Sequence, residues 1–128
     1  MLWKKLVLIF ILAFVANSVW EYLHAPLYIH YRGDAITSLI LFRAALFDAV
    51  FTTLLGAFFL TVPYFRQRLW LSIVIGIIFA VCLEIFALNT GRWAYTDYMP
   101  IIPLLDIGIT PTAQLGIISY IIFKSVIR

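Results

Sequence analysis

The stretch Glu84-Ile-Phe-Ala-Leu-Asn89-Thr-Gly91-Arg92-Trp93-Ala-Tyr95-Thr-Asp97-Tyr98-Met-Pro100-Ile-Ile-Pro103-Leu-Leu-Asp106-Ile-Gly108-Ile-Thr110-Pro111-Thr112-Ala-Gln114 is where a run of apolar segments is interrupted by a dense cluster of turn formers. It holds three of the six acidic residues and three of the five prolines, the one dense cluster of turn formers in the chain, and so marks a connection between two apolar segments. An apolar segment enters it carrying Glu84, and another leaves it carrying Gln114. Gly91 suits a left-handed cap that ends the incoming helix. Thr110-Pro111 reads as an N-cap followed by proline at the first helical position of the outgoing one. Residues 100–109 are broken by Pro103, Asp106 and Gly108. They either lie in the membrane interface or re-enter the bundle, packed on protein or water, because irregular backbone cannot face lipid. The alternative is a helix from Pro103 kinked at Pro111.

On either side of this connection the chain is apolar. Its 128 residues are 65% hydrophobic and 12% charged, with mean hydropathy +1.07. Water-soluble domains are nearer half apolar and a quarter charged, so lipid is the expected solvent. Segments of about 20 apolar residues cross a bilayer. Four are expected here, at about 5–24, 37–62, 69–89 and 110–127, giving an all-α, four-span bundle in one domain, 1–128. The first begins Met-Leu-Trp-Lys4-Lys5, as a signal peptide would, but runs on into Trp20-Glu21-Tyr22 without a small-x-small cleavage site and reads as a retained span. Asp34 or Thr37 is placed to cap the second helix, and Pro63 ends it. The lone Cys82 lies inside an apolar run and reads as a small buried hydrophobe.

With four spans, Lys4, Lys5, Arg66, Arg68, Lys124 and Arg128 share one side, and Arg32 and Arg92 lie on the other. The positive-inside rule then puts both termini in the cytoplasm, with the long third loop, partly ordered, on the non-cytoplasmic side of a multi-pass plasma-membrane protein. None of the six acids falls among the cytoplasmic basic residues. The net charge of +3 is thus topological, and no basic, aromatic-laced stripe calls for nucleic acid.

The candidate site follows from the depth of the acids. Asn17, Glu21 and His24 are spaced i, i+4, i+7 on one face of the first span. Asp48 lies near the centre of the second, where an unpaired charge costs about 2.5–3.5 kcal/mol on insertion scales, so it should face the bundle. Arg43 is five residues from Asp48, about 140° round the helix, and is better placed to pair with an acid of a neighbouring span. Glu84 is the third intramembrane carboxylate at a similar depth. Unlike environments let such carboxylates divide into acid and base. Glu84, Asp48, Glu21 and His24 are therefore the candidate catalytic groups. Asn17, Arg43, Asn89, Arg92, Trp93, Tyr95 and Gln114 are candidate ligand contacts, Arg92 facing an anionic headgroup and Trp93 and Tyr95 an apolar chain. The competing reading makes these groups interhelical glue and headgroup-level anchors. No metal or cofactor is expected. A site from Glu21, His24, Asp48 and Glu84 is geometrically conceivable, but no H-x-x-x-H, H-E-x-x-H or C-x-x-C spacing asks for one.

Glu84, Gly91-Arg92-Trp93 and Pro111-Thr112-Ala113-Gln114 together resemble the order of motifs in small polytopic lycopene-cyclase-type domains and membrane carotenoid hydratases. There an acid near a span's end precedes Gly-x-Trp, a proline-bearing loop and a polar pair opening the next span. The resemblance covers residues 84–116 and implies an isoprenoid, carotenoid-like substrate. The cyclase type carries paired glutamates where this chain has Ala113-Gln114, which argues against acid-catalysed cyclisation. The leading expectation is a small membrane enzyme or binder acting on a lipid or isoprenoid by acid/base chemistry. The alternatives are a non-catalytic subunit whose polar groups join helices, and a small transporter. Four spans in so short a chain leave little interior, so a homo-oligomer or a partner membrane subunit is also expected.

Overall fold

The computed structural model describes all 128 residues, which are mostly helical. Helix α1 (Leu2–His24) runs into a 3-10 turn (Ala25–Leu27) and strand β1 (Tyr28–Tyr31). Helix α2 (Ser38–Thr61) is followed by the short α3 (Pro63–Arg66) and by α4 (Leu71–Asn89). Strands β2 (Trp93–Tyr95), β3 (Ile101–Ile102) and β4 (Ile107–Gly108) lead to α5 (Ile109–Val126).

Three stretches are long and apolar enough to cross a membrane: Leu2–Leu27, Ser38–Thr61 and Leu71–Asn89, with mean hydropathies of 2.0, 1.8 and 2.7. They turn Ile11, Val15, Leu54 and Ile78 outward, so the exterior is apolar and the interior carries polar groups such as Asn17, Thr52 and Ser119. That inversion suits lipid as solvent and fits a small membrane protein. Helix α5 has 18 residues and is the most enclosed element, with nine of them buried. Thr110, Thr112, Gln114, Ser119 and Lys124 make it more polar than the other long helices.

The helices alternate in direction and stand in the order α2–α1–α5–α4, with α2 also touching α5. One end is closed by a core of Ile9, Phe59, Ile122, Phe123 and Ile127, with Phe65 and Leu71 packed on it. This is the end of Lys4, Arg66 and Lys124. Helices α4 and α5 approach so closely that a Cβ on Gly76 would stand 2.5 Å from the Gly116 Cα, and one on Gly116 2.7 Å from the Ile73 carbonyl. Small residues permit such crossings between membrane helices. By contrast, α2 and α4 pack chiefly on α1 and α5 and meet each other through side chains. The rings of Phe47 and Phe51 span the gap, stacking on Phe79 at 6.2 and 4.3 Å.

The connections at the opposite end are not the irregular loops an all-α reading implies. β1 pairs antiparallel with β2 (Tyr28↔Tyr95, His30↔Ala94, Tyr31↔Trp93, with a bulge between Tyr28 and His30). β3 and β4 form a hairpin (Ile101↔Gly108, Ile102↔Ile107) in place of the alternative helix from Pro103 kinked at Pro111. Leu104 and Asp106 take positive φ of 75° and 56° at its tip. The hairpin satisfies its own backbone, which is the condition for non-helical chain at a membrane boundary. It packs inward through the buried Met99, Ile107 and Gly108.

The terminators largely follow the sequence. Gly91 has φ of 73°. The Arg92 and Gly91 N–H groups donate to the carbonyls of Ala87 (2.9 Å) and Leu88 (3.4 Å), a Schellman closure of α4. Thr37 caps α2, its hydroxyl accepting from the Ile40 N–H at 3.3 Å. At α5 the expected Thr110 cap is replaced by Gly108, which contributes no side-chain cap. The Thr110 hydroxyl is diverted to His24 and to the Met99 sulfur. Cys82 is exposed on the outer face of α4 and not buried.

Candidate functional site

The C-terminal ends of α1 and α4 and the N-terminal ends of α2 and α5 meet at the end capped by the β1–β2 ribbon. Two polar centres form there. In the first, the Gln114 side-chain amide lies between three helices. Its Nε2 stands 2.9 Å from Asn17 Oδ1, 3.1 Å from Glu21 Oε1 and 3.0 Å from Asp48 Oδ2. An amide nitrogen carries two hydrogens, so three acceptors compete for two donors. The i, i+4 spacing of Asn17 and Glu21 delivers both to this nitrogen, as the helical face requires. Asn17 is fully buried and donates to the Ala13 carbonyl at 2.8 Å. Glu21 is also held from above. His24 Nε2 lies 3.0 Å from Glu21 Oε2, and His24 Nδ1 lies 3.1 Å from the Thr110 hydroxyl. An ionised Glu21 is acceptor-only, so Nε2 carries the hydrogen in that pair. A continuous polar chain thus runs Thr110–His24–Glu21–Gln114–Asp48.

The second centre is Glu84, one wall away on α4. Its Oε1 accepts from the Tyr95 hydroxyl (2.5 Å), the Tyr28 hydroxyl (3.3 Å) and the Trp93 indole N–H (3.3 Å). Three donors crowd one carboxylate oxygen, and Oε2 has none. The ribbon places all three, since Tyr28 pairs with Tyr95 and the Tyr28 ring meets the Trp93 ring edge-on at 6.1 Å. Burial, reinforced by the Glu84 carboxylate, holds the Tyr28 phenol well above its ordinary pKa. Burial and the hydrogen bond to Glu84 raise Tyr95 in the same way, against a smaller opposing contribution from the Gly108 backbone. Both phenols are therefore fixed as protonated donors.

Between the two centres is a half-open cavity of about 340 Å³ with mainly apolar walls. Glu21, His24, Asp48, Glu84 and Gln114 give onto it, with Ile40, Ala44, Phe47, Ala80 and Leu83 facing them. The only sealed side-chain polar atom without a partner in the molecule is Trp20 Nε1. Glu84 Oε2 and Gln114 Oε1, which have no partner in the molecule, are therefore not sealed, while the Asp48 carboxyl also lies against that of Glu21. The apolar wall is largely that of α2 and α4, the helices that carry the Phe47–Phe79–Phe51 stack.

The structure brings Glu84, Asp48, Glu21, His24, Gln114, Arg43, Arg92 and Trp93 to this one cavity. Tyr95 reaches it through Glu84. Asn17 lies beneath Gln114 and does not line the cavity. Asn89 is exposed at the end of α4 and is not part of the site. The expectation that Arg43 pairs with a neighbouring acid does not hold. The only ion pair is His24–Glu21, and Arg43 stands exposed at the cavity's edge without a carboxylate partner. The acids of α1 and α2 are satisfied by the neutral Gln114 amide instead. No three His, Cys, Asp or Glu side chains stand in metal-holding geometry. Sequence reasoning missed Tyr28, Tyr31 and Thr110. Alternation in Tyr28-Ile29-His30-Tyr31 sets Tyr28 opposite the exposed Ile29 but groups Tyr31 with it; the bulge between Tyr28 and His30 breaks that register, and no local pattern announces it.

Searches against family models, curated proteins and solved structures found no match for this chain.

Proposed function

We propose that this chain is a four-span membrane protein, with both termini on the cytoplasmic side, that admits an amphiphilic lipid into the cavity and moves protons on it. The observation that carries the reading is that two buried carboxylates from different helices, Asp48 and Glu84, line a single apolar cavity, and that Glu84 Oε2 has no partner in the molecule. An apolar ligand alone would leave that oxygen desolvated, which costs about 1–3 kcal/mol. A ligand with a polar end and an apolar body satisfies it. Its body leaves between α2 and α4, and its polar end stays between the carboxylates. A proton taken by Glu84 Oε2 and one returned from the Asp48–Glu21 side, recharged through His24 and Thr110, would isomerise a double bond without net proton change; hydration would also consume one water, whose oxygen bonds the carbon beside the one protonated from the Asp48–Glu21 side while its proton goes to Glu84. The isoprenoid class fits a long apolar body that carries such bonds. The one-sided placement of the basic residues at the other end supports the orientation.

The test is mass spectrometry of the lipids that co-purify with the wild type and with Glu84→Gln and Asp48→Asn. Wild type should retain a defined amphiphile and convert it. Each variant should fold, keep the ligand and lose at least about 10²-fold in turnover, the usual contribution of a positioned acid or base. A second reading is favoured by the three-way Gln114 contact, which joins α1, α2 and α5: a non-catalytic subunit held together by polar glue. On that reading the same variants lose thermal stability and no small molecule is bound.

A further inference from the structure

Adjoining the cavity at Arg92, a recess bounded by Arg32, Phe86, Thr90, Gly91 and Arg92 has a different chemistry. It has two cations and no acid. Neither arginine is ion-paired, since the molecule's one ion pair is His24–Glu21. The two residues are fixed relative to each other by backbone, because the Arg32 N–H donates to the Arg92 carbonyl at 2.6 Å. Arg92 is fixed in turn to the end of α4 through the Ala87 carbonyl. Arg32 holds a positive φ of 52°, a left-handed conformation that costs a side chain-bearing residue about 1–2 kcal/mol. Arg32 and Gly33, at φ of 52° and 85°, are the two central residues of the turn that pairs Tyr31 with Asp34, which calls for positive φ at both. Both arginines line the one recess, with the Arg32 guanidinium 5.6 Å over the Tyr31 ring. The Arg92 guanidinium lies 5.2 Å over the Phe86 ring. Below it the outer face of α4 is apolar and open, with Phe86 50% and Ile85 39% exposed.

We infer that Arg32 and Arg92 form a phosphate site at the membrane boundary, occupied by the phosphodiester of a phospholipid whose acyl chain lies along Phe86 and Ile85. Paired guanidiniums suit the fork geometry of phosphate oxygens, and arginine is the residue of choice for such contacts. The apolar face beneath them distinguishes a lipid from free phosphate, which would gain nothing from it. The recess shares Arg92 with the carboxylate cavity, but it contains no carboxylate, and Arg32, Phe86, Thr90 and Gly91 do not line that cavity.

The experiment is native mass spectrometry of the full chain released from nanodiscs. These contain either phosphatidylglycerol or a galactolipid with the same acyl chains and no phosphate. Wild type should retain phosphatidylglycerol at least about tenfold more than the galactolipid. The double variant Arg32→Ala/Arg92→Ala should lose that preference, and Glu84→Gln should keep it. Arg32→Lys/Arg92→Lys, which keeps the charge without the fork, should fall between them. Far-ultraviolet circular dichroism checks that each variant is helical. Equal retention of both lipids by wild type, or an unchanged preference in the double alanine variant, overturns the inference. So does displacement of the lipid by millimolar inorganic phosphate, which would make the ligand a soluble anion. If the alanine pair unfolds, Phe86→Glu tests the acyl-chain half of the site with both arginines intact, and an unchanged preference there also overturns it.

Discussion

Replacing Gln114 by leucine removes one side chain from the point where α1, α2 and α5 meet. The amide nitrogen contacts three acceptors at 2.9, 3.1 and 3.0 Å, but its two hydrogens limit it to two full hydrogen bonds. Interhelical hydrogen bonds in membrane proteins average about 0.6 kcal/mol and reach about 1.7 in double-mutant cycles, so two of them give about 1–3 kcal/mol. Leucine fills nearly the same volume, so the loss is not a cavity effect. Gln114→Glu is the sharper comparison. It replaces the shared donor by a third carboxylate beside Glu21 and Asp48, so it should destabilise more than leucine at neutral pH. The assay is equilibrium unfolding in mixed micelles with increasing sodium dodecyl sulfate, followed by tryptophan fluorescence and far-ultraviolet dichroism. A Gln114→Leu variant as stable as wild type, or a glutamate variant more stable than the leucine one, would refute the claim that this amide organises the acids.

Gly76→Ala should cost about 1–3 kcal/mol as overpacking, because its Cβ would meet backbone and not a movable side chain. Gly56→Ala, whose Cβ would meet the ends of Ile9 and Phe123, should cost less. The same unfolding assay checks both. Tyr28 and Tyr95 should stay protonated past the pH at which free phenols ionise, so Tyr28→Phe and Tyr95→Phe should not reduce the tyrosinate absorbance that develops near pH 10. Because the folded state binds these protons more tightly than the unfolded chain does, their contribution is fully present below the ordinary phenol pKa of about 10. It is lost as pH rises from there towards their raised values, so unfolding midpoints should fall in strongly alkaline buffer. Glu84→Leu leaves two hydroxyls and the Trp93 N–H without their acceptor. It should loosen the ribbon, with a shift in Trp93 emission and faster amide exchange at residues 28–31 and 93–95.

The sequence carries the helices through apolar run length, and it carries the site through the cost of burying Asp48 and Glu84 in lipid. It brought Glu21, His24, Asp48, Glu84 and Gln114 to one end, where they meet. It did not reveal which donor serves which acid. Arg43 was the obvious counter-charge by depth, yet the acids use the neutral Gln114, because partner choice depends on helix rotation that a near-uniform apolar pattern leaves unspecified. The two ribbons were also hidden. β1 and β2 lie more than sixty residues apart in sequence and are three or four residues long, too short for alternation to stand out. That α2 and α4 meet chiefly through Phe47, Phe51 and Phe79, leaving room for the cavity beside them, is a feature no local pattern encodes.

The central claim is that the space between Asp48 and Glu84 is filled from the bilayer through the gap between α2 and α4. Ala44→Trp and Leu83→Trp place an indole in that gap from opposite walls. The direct measurement is quantitative mass spectrometry of lipid extracted from each protein after purification in mild detergent, at matched thermal stability. A near-stoichiometric amphiphile in wild type that is lost from both tryptophan variants is the predicted result. A wild type with no retained amphiphile, or one retained equally by all three proteins, would contradict it.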